Sequence, residues 1–193
     1  MSATMRQAPT AMTGWLPGPH SQALPGYTLA PDATLTGIVA RMGAALDWLA
    51  RHGPAHGVTG RIVVSGWSAG GNLAATMLGH PATAASLAIS GVFELGPIRD
   101  TYLNDKLRLT DAEIEALSPL RLPPPDKPMA LAYGSAELPA LVGDSRRLHA
   151  RRALQHRPGA LLPVPHADHF TVIDALRTPN GPLLRLARSL LKT

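Results

Sequence analysis

The chain has 193 residues, of which 45% are hydrophobic and 16% are charged, with a formal net charge of +5 at pH 7. This balance can bury the core of one globular domain and is too apolar for a disordered protein. The chain has no cysteine, which excludes disulfides, thiolate metal sites and cysteine nucleophiles.

The positive charge comes from arginines scattered along the chain, and only 4% of the residues are aromatic. A nucleic-acid-binding protein would show basic clusters with interleaved aromatics, so no nucleic-acid partner is expected. No apolar stretch reaches the length of a membrane span, and the first residues lack the apolar core of a signal peptide. We therefore expect a soluble, cytoplasmic protein that does not act on membranes.

Residues 1–22 are dotted with Pro and Gly and are expected to be irregular, which leaves residues 23–193 as the predicted domain. Apolar periodicity and turn residues predict the helices and strands in chain order. The first half has a helix at 34–51, a strand at 62–65, a helix after residue 68 and a strand at 86–90. A mixed segment follows at 94–122, with a short helix at 111–117 capped by Thr110, and then come a strand at 129–133, a helix around 145–155, a strand near 160–164 and a helix at 182–191. The β-α-β order predicts a mostly parallel sheet with right-handed crossovers.

The most informative motif follows the first predicted strand, where the chain reads Gly66-Trp67-Ser68-Ala69-Gly70. A G-x-S-x-G turn between a strand and a helix is typical of a nucleophile elbow, in which the serine hydroxyl projects above the sheet. Ser68 is therefore the candidate nucleophile, and the N–H of Ala69 is a candidate oxyanion donor. We expect Gly66 and Gly70 to lack room for a Cβ and Gly71 to allow close packing.

A serine nucleophile needs an imidazole base and a carboxylate that orients the imidazole. Glu137 and His169 follow later predicted strands, in the order nucleophile, acid, base. His166 competes with His169 as the base, but His169 lies directly before the apolar turn into the last helix and is preferred. Asp144 competes with Glu137 as the acid, but it is expected to cap a helix N-terminus instead.

Several segments carry a resemblance to a known family. They are Gly66-Trp67-Ser68-Ala69-Gly70-Gly71-Asn72-Leu73, Ser90-Gly91-Val92-Phe93-Glu94-Leu95, Asn104-Asp105, Leu107-Arg108-Leu109, Leu117-Ser118-Pro119-Leu120, Tyr133-Gly134 and His169-Phe170. Together they resemble the bacterial kynurenine formamidase-like (arylformamidase) branch of the α/β-hydrolases. The resemblance implies a three-layer α/β sandwich, a Ser68–His169–Glu137 catalytic triad, and an aryl formamide such as N-formylkynurenine as substrate.

The chain departs from that family at its start. Members carry an upstream His-Gly-Gly loop that donates to the oxyanion, and this motif does not occur here. The chain is therefore expected to lack the early strands of the fold, which would leave a bare sheet edge and favour a homodimer.

Two alternatives to the arylformamidase function stay open: a general carboxylesterase, and a truncated hydrolase remnant without catalysis. No cofactor is expected. His166 and His169, at i, i+3 spacing with Asp168 between them, could chelate a metal in principle, but no third convergent ligand is visible, so no metal is expected either.

Overall fold

The computed structural model describes residues 21–177 and 180–192. The predicted irregular segment at residues 1–22 therefore lies, up to residue 20, outside the described residues. The helices are α1 (Leu35–His52), α2 (Ala69–Met77), α3 (Asn104–Leu107), α4 (Asp111–Leu117), α5 (Pro139–Leu154) and α6 (Pro182–Leu190), and the strands are β1 (Ile62–Trp67), β2 (Thr83–Ile89), β3 (Met129–Gly134) and β4 (Leu161–Val164). Short 3₁₀ helices lie at Gly53–His56, Gly96–Asp100 and Thr171–Leu176.

The four described strands form one parallel sheet in the order β1-β2-β3-β4, as the β-α-β pattern predicts. Trp67 pairs with Ile89, and Ile89 pairs in turn with Ala132. Because all four strands run the same way, the segments that follow them emerge at the same end of the sheet, where the strands have their carboxyl ends. The candidate catalytic residues described below lie at that end.

The core lies on both faces of the sheet because successive side chains of a strand point to opposite faces. On one face Leu87, Ile89, Ala130 and Ala132 pack against α6 and the 3₁₀ helix at Thr171–Leu176. On the other face Ala88, Met129 and Leu131 pack against buried residues of α2 and α5. Nearly every residue of β2 and β3 is buried, as expected for a parallel strand covered by helices on both sides. The three-layer α/β architecture is therefore confirmed.

Every predicted helix and strand is present, most of them with shifted ends. The short helix at 111–117 has its predicted bounds, whereas β2 begins at Thr83, three residues earlier than expected, and α5 begins at Pro139 instead of near residue 145. The mixed segment at 94–122 contains α3 and a 3₁₀ helix that the sequence did not predict. None of the helices within residues 21–177 and 180–192 has both the length and the apolar character needed to cross a membrane.

Glu113 joins the N-termini of two helices. Thr110 caps α4 by accepting from the Glu113 N–H, and Glu113 Oε2 accepts in return from the Thr110 N–H and hydroxyl, which completes a capping box. The other oxygen, Oε1, accepts from the N–H and hydroxyl of Thr36 in the first turn of α1, at 3.0 and 2.9 Å. One buried carboxylate therefore connects α1 to α4 through a contact between residues 77 apart in the chain.

This arrangement predicts a pH-dependent contribution to stability. Burial raises the pKa of Glu113, but the hydrogen bonds from Thr36 and Thr110 outweigh it, so the pKa lies below its ordinary value of 4.5. A carboxyl whose pKa is lower in the folded than in the unfolded protein stabilises the fold above the unfolded-state pKa and loses this effect as the pH falls through the folded-state pKa.

We expect Glu113→Gln to lower the free energy of unfolding by about 1–3 kcal/mol at pH 7, because the amide is a weaker acceptor and leaves buried donors poorly paired. The difference from the parent should shrink as the pH falls below about 4.5, and urea unfolding at pH 7 and pH 3.5 measures it. Glu115→Gln, an exposed change on the same helix, is the control and should cost less than about 1 kcal/mol. Equal losses for the two variants at pH 7 would contradict the prediction.

Candidate active site

Ser68 lies at the sharp corner where β1 ends and α2 begins. Its backbone has φ 58° and ψ −120°, a region that non-glycine residues seldom adopt. The Ser68 N–H donates to the Ile89 carbonyl of the neighbouring strand at 2.9 Å, and the Ser68 carbonyl accepts from the N–H of Gly71 at 2.8 Å. These bonds hold the strained turn in place, as is typical of a strained residue at a functional site.

Two of the three glycines around this turn exclude a side chain, as expected, and the third does not. A Cβ on Gly66 would lie 2.1 Å from the Gly70 carbonyl oxygen, and a Cβ on Gly71 would lie 2.7 Å from the Gly91 Cα, so both positions exclude a side chain. The expectation for Gly70 is wrong, because a Cβ there would meet nothing within 4 Å. Gly70 is instead the residue whose backbone fills the space beside Gly66.

The structure brings His169 to Ser68, although they lie 101 residues apart in the chain. His169 Nε2 is 3.0 Å from Ser68 Oγ. The Trp67 indole N–H donates to the His169 carbonyl at 2.8 Å, and the imidazole ring lies 5.0 Å from the Trp67 ring and 5.4 Å from the Phe170 ring. The imidazole is thus enclosed by two aromatic rings, and its side chain is 19% exposed.

Asp168 fixes the loop that carries His169. Its Oδ1 accepts from the N–H of Phe170 at 2.9 Å and from the N–H and hydroxyl of Thr171, both at 2.8 Å, and the Asp168 N–H donates back to the Thr171 hydroxyl. The hydrogen bonds from Thr171, with that from Phe170, hold the pKa of Asp168 below its ordinary value. His166 lies in the same loop but is exposed, and its N–H donates to the Ser135 hydroxyl.

Glu137 lies beyond the end of β3, on the far side of the imidazole from Ser68. Its side chain is fully buried, and Oε1 accepts from the Ser90 hydroxyl and, at 2.9 Å, from the Gly134 N–H. Oε2 lies 3.6 Å from His169 Nδ1, and neither atom has a hydrogen-bond partner. In ligand-free enzymes such contacts are often long and shorten when substrate binds. The structure therefore assembles Ser68, His169 and Glu137 in a row.

Asp144 has a different place from the one expected. It lies in the second turn of α5, because that helix begins at Pro139, so it is not a helix N-cap. Its buried Oδ2 accepts from the N–H groups of Phe93 and Glu94, at 2.8 and 2.9 Å, and Arg147 donates to Oδ1. Asp144 thereby fixes the segment that follows β2.

Two residues of this site were missed in the sequence. Ser90 contacts the candidate acid, and Trp67 holds the loop of the candidate base. Trp67 occupies the variable position of the elbow motif. Its neighbours define the motif, whereas the motif places no requirement on its own side chain. Ser90 opens one of the segments that resemble the known family, but nothing in that pattern indicates that its hydroxyl contacts Glu137. Within residues 21–177 and 180–192, no three His, Asp or Glu side chains form a group that could hold a metal ion.

Comparison with known proteins identifies the fold. A family model described as the alpha/beta hydrolase fold matches residues 22–132, more than half of the chain. The chain belongs to the α/β-hydrolase fold family.

This α/β-hydrolase is similar in sequence to a curated protein and similar in fold to several solved structures. The chain is 26% identical over 169 residues to a kynurenine formamidase of Salmo salar, a match that covers 78% of this chain and 55% of that protein. The fold matches that of carboxyl esterase 2 from the fungus Tuber melanosporum with a TM-score of 0.73 at 16% identity, covering 94% of this chain and 71% of that one. Thermogutta terrifontis esterase 2, phosphoramylated by tabun, matches with a TM-score of 0.62 at 23% identity, covering 83% and 66%.

The α/β-hydrolase chain described here spans about half the length of the curated relative that it matches. These comparisons confirm the fold and the resemblance to arylformamidases.

The contacts of Asp168 lead to a prediction about the His169 loop. We expect Asp168→Ala to speed the amide hydrogen exchange of Phe170 and Thr171 by about tenfold or more, because both N–H groups lose their acceptor. Asp174→Ala, which removes an exposed carboxylate paired with Arg177 in the following 3₁₀ helix, is the control and should leave both rates unchanged. Unchanged exchange in Asp168→Ala would show that the loop is held by other contacts.

Proposed function

We propose that the chain is a serine hydrolase that cleaves a small ester or amide through Ser68, His169 and Glu137. The observation that carries this proposal is the 3.0 Å contact between Ser68 Oγ and His169 Nε2 at a strained elbow. A serine hydroxyl is a weak nucleophile at neutral pH and needs an adjacent base in hydrogen-bond reach. The buried carboxylate of Glu137 on the Nδ1 side favours the tautomer in which Nδ1 carries the proton and Nε2 is free to accept one.

The reaction is acyl transfer in two halves. Ser68 Oγ attacks the carbonyl carbon while its proton passes to His169 Nε2, and the carbonyl oxygen becomes an oxyanion. Collapse of this intermediate breaks the bond to the leaving alcohol or amine, which takes the proton from His169. Water, deprotonated by the same imidazole, then attacks the acyl-Ser68 ester and releases the carboxylic acid and free Ser68.

The oxyanion would meet the N-terminus of α2. Ala69 is the first residue of that helix, so its N–H has no acceptor within the helix. The partial positive charge of the helix N-terminus adds to this donor. Loss of one oxyanion donor typically costs about a hundredfold or more in rate, so this N–H would contribute strongly to the proposed reaction.

An aryl formamide such as N-formylkynurenine is the proposed substrate. The similarity to the Salmo salar kynurenine formamidase supports this choice, and the exposed ring of Phe170, 72% accessible beside His169, offers an apolar surface to an aryl group. A general carboxylesterase is the second candidate, favoured by the fold shared with the Tuber melanosporum and Thermogutta terrifontis esterases. Hydrolysis of N-formylkynurenine, compared with that of p-nitrophenyl acetate, separates the two candidates.

Covalent labelling tests the nucleophile. A fluorophosphonate probe should label the purified chain, because Ser68 Oγ forms a bond to phosphorus, fluoride leaves and His169 takes the proton. Ser68→Ala should abolish labelling, whereas the control Ser65→Ala, an exposed serine on the same strand, should label at the parent rate. Intact labelling of Ser68→Ala, or no labelling of a folded parent chain, would refute the serine mechanism and favour a non-catalytic remnant.

A second experiment separates the two histidines of the loop. His169→Gln should slow labelling and p-nitrophenyl acetate hydrolysis by about a thousandfold, because the base is lost. His166→Gln should leave both rates within about twofold of the parent, since His166 is exposed and its contact to Ser135 is made by its backbone N–H. The reverse ranking would assign the base to His166.

A further inference from the structure

Ser90 occupies a position after β2 that corresponds to that of Ser68 after β1. It is fully buried, its backbone has φ 49°, and its N–H donates to the Ala132 carbonyl of β3 at 2.8 Å. A left-handed conformation is costly for a residue other than glycine, and glycine would adopt it without strain. The Ser90 hydroxyl donates to Glu137 Oε1.

The two oxygens of Glu137 have different surroundings. Oε1 is occupied by two donors, the Ser90 hydroxyl and the Gly134 N–H. Oε2 has no hydrogen bond and faces His169 Nδ1. A buried carboxylate with one oxygen held by two hydrogen bonds can rotate little, so the other oxygen stays directed at the imidazole.

We propose that Ser90 is a positioning residue, which fixes the Glu137 carboxylate so that Oε2 is held for His169. The inference rests on the proposed function, because it assigns a role within the same triad. Ser90 acts through Glu137 and touches no reacting atom.

Strand β2 itself provides a matched control for the loss of a buried hydroxyl. Ser86 lies on β2, four residues before Ser90, and is also fully buried, but its hydroxyl has no hydrogen-bond partner. Ser86→Ala therefore removes the same atom from the same strand without touching Glu137. A general effect of the buried hydroxyl on folding would affect Ser86→Ala and Ser90→Ala alike.

The test is the rate of fluorophosphonate labelling at saturating and subsaturating probe, measured on Ser90→Ala, Ser90→Gly and Ser86→Ala. We expect both changes at Ser90 to lower the maximal labelling rate about 10-fold to 100-fold, the size expected for a lost hydrogen bond to a charged group. The half-saturating probe concentration should stay within about twofold, since Ser90 does not touch the probe. Ser86→Ala should label at the parent rate. Ser90→Gly tolerates the positive φ, so it tests the hydroxyl even where Ser90→Ala is poorly folded.

A double-mutant cycle separates positioning from structural damage. In a Glu137→Ala background, Ser90→Ala should change the labelling rate by less than about twofold, because the group through which it acts is gone. Equal effects in both backgrounds would show that Ser90 supports the fold and would overturn the inference. Parent-like labelling of both Ser90 variants would overturn it too, while Ser68-dependent labelling of the parent would leave the proposed function standing. No labelling of the parent would refute the proposed function and the inference with it.

Discussion

The parallel arrangement of the four described strands is the constraint on which the site depends. Because the strands run the same way, the chain leaves each of them at the same edge, and residues that are distant in sequence meet there. The ladder of hydrogen bonds continues one residue past the end of three strands. Ser68, Ser90 and Ser135 each follow a strand, and each donates its N–H to a carbonyl of the next one, at Ile89, Ala132 and Val164.

These three serines share a backbone position and differ in what the hydroxyl does. Ser68 presents Oγ to His169, Ser90 donates to Glu137, and Ser135 accepts from the His166 N–H at the start of the loop that carries His169. A serine is small enough for a crowded strand end, and its hydroxyl can donate or accept. The strained backbone at Ser68 and Ser90 is compensated by the inter-strand hydrogen bonds of their own N–H groups, so the sheet stabilises the conformations that direct both hydroxyls.

The parts of this arrangement that could be predicted are those with a local cause. The bounds of α4 were predictable because Thr110 and Glu113 form a capping box within four residues, and the elbow was predictable because its strand, turn and helix are contiguous. The start of α5 was missed because Asp144 resembles an N-cap residue in sequence. Its carboxylate is instead used by the N–H groups of Phe93 and Glu94, about fifty residues away. Ser90 was missed for the same reason: its partner is 47 residues away.

Around His169, hydrogen bonds fix every group of the row except the contact between the imidazole and the Glu137 carboxylate. The backbone of His169 is fixed at its carbonyl by the Trp67 indole, its loop is fixed by Asp168, and Glu137 is fixed at Oε1 by Ser90 and Gly134. The contact between His169 Nδ1 and Glu137 Oε2 differs from these, because the two buried atoms are 3.6 Å apart and have no hydrogen-bond partner. Leaving both unpaired is unfavourable in a buried site, so any rise of positive charge on the imidazole strengthens their attraction and shortens the contact. In the proposed mechanism, such a rise accompanies proton transfer from Ser68. The contact between His169 Nδ1 and Glu137 Oε2 is therefore the one long contact in the row, and under the proposed mechanism it would strengthen as the transition state forms.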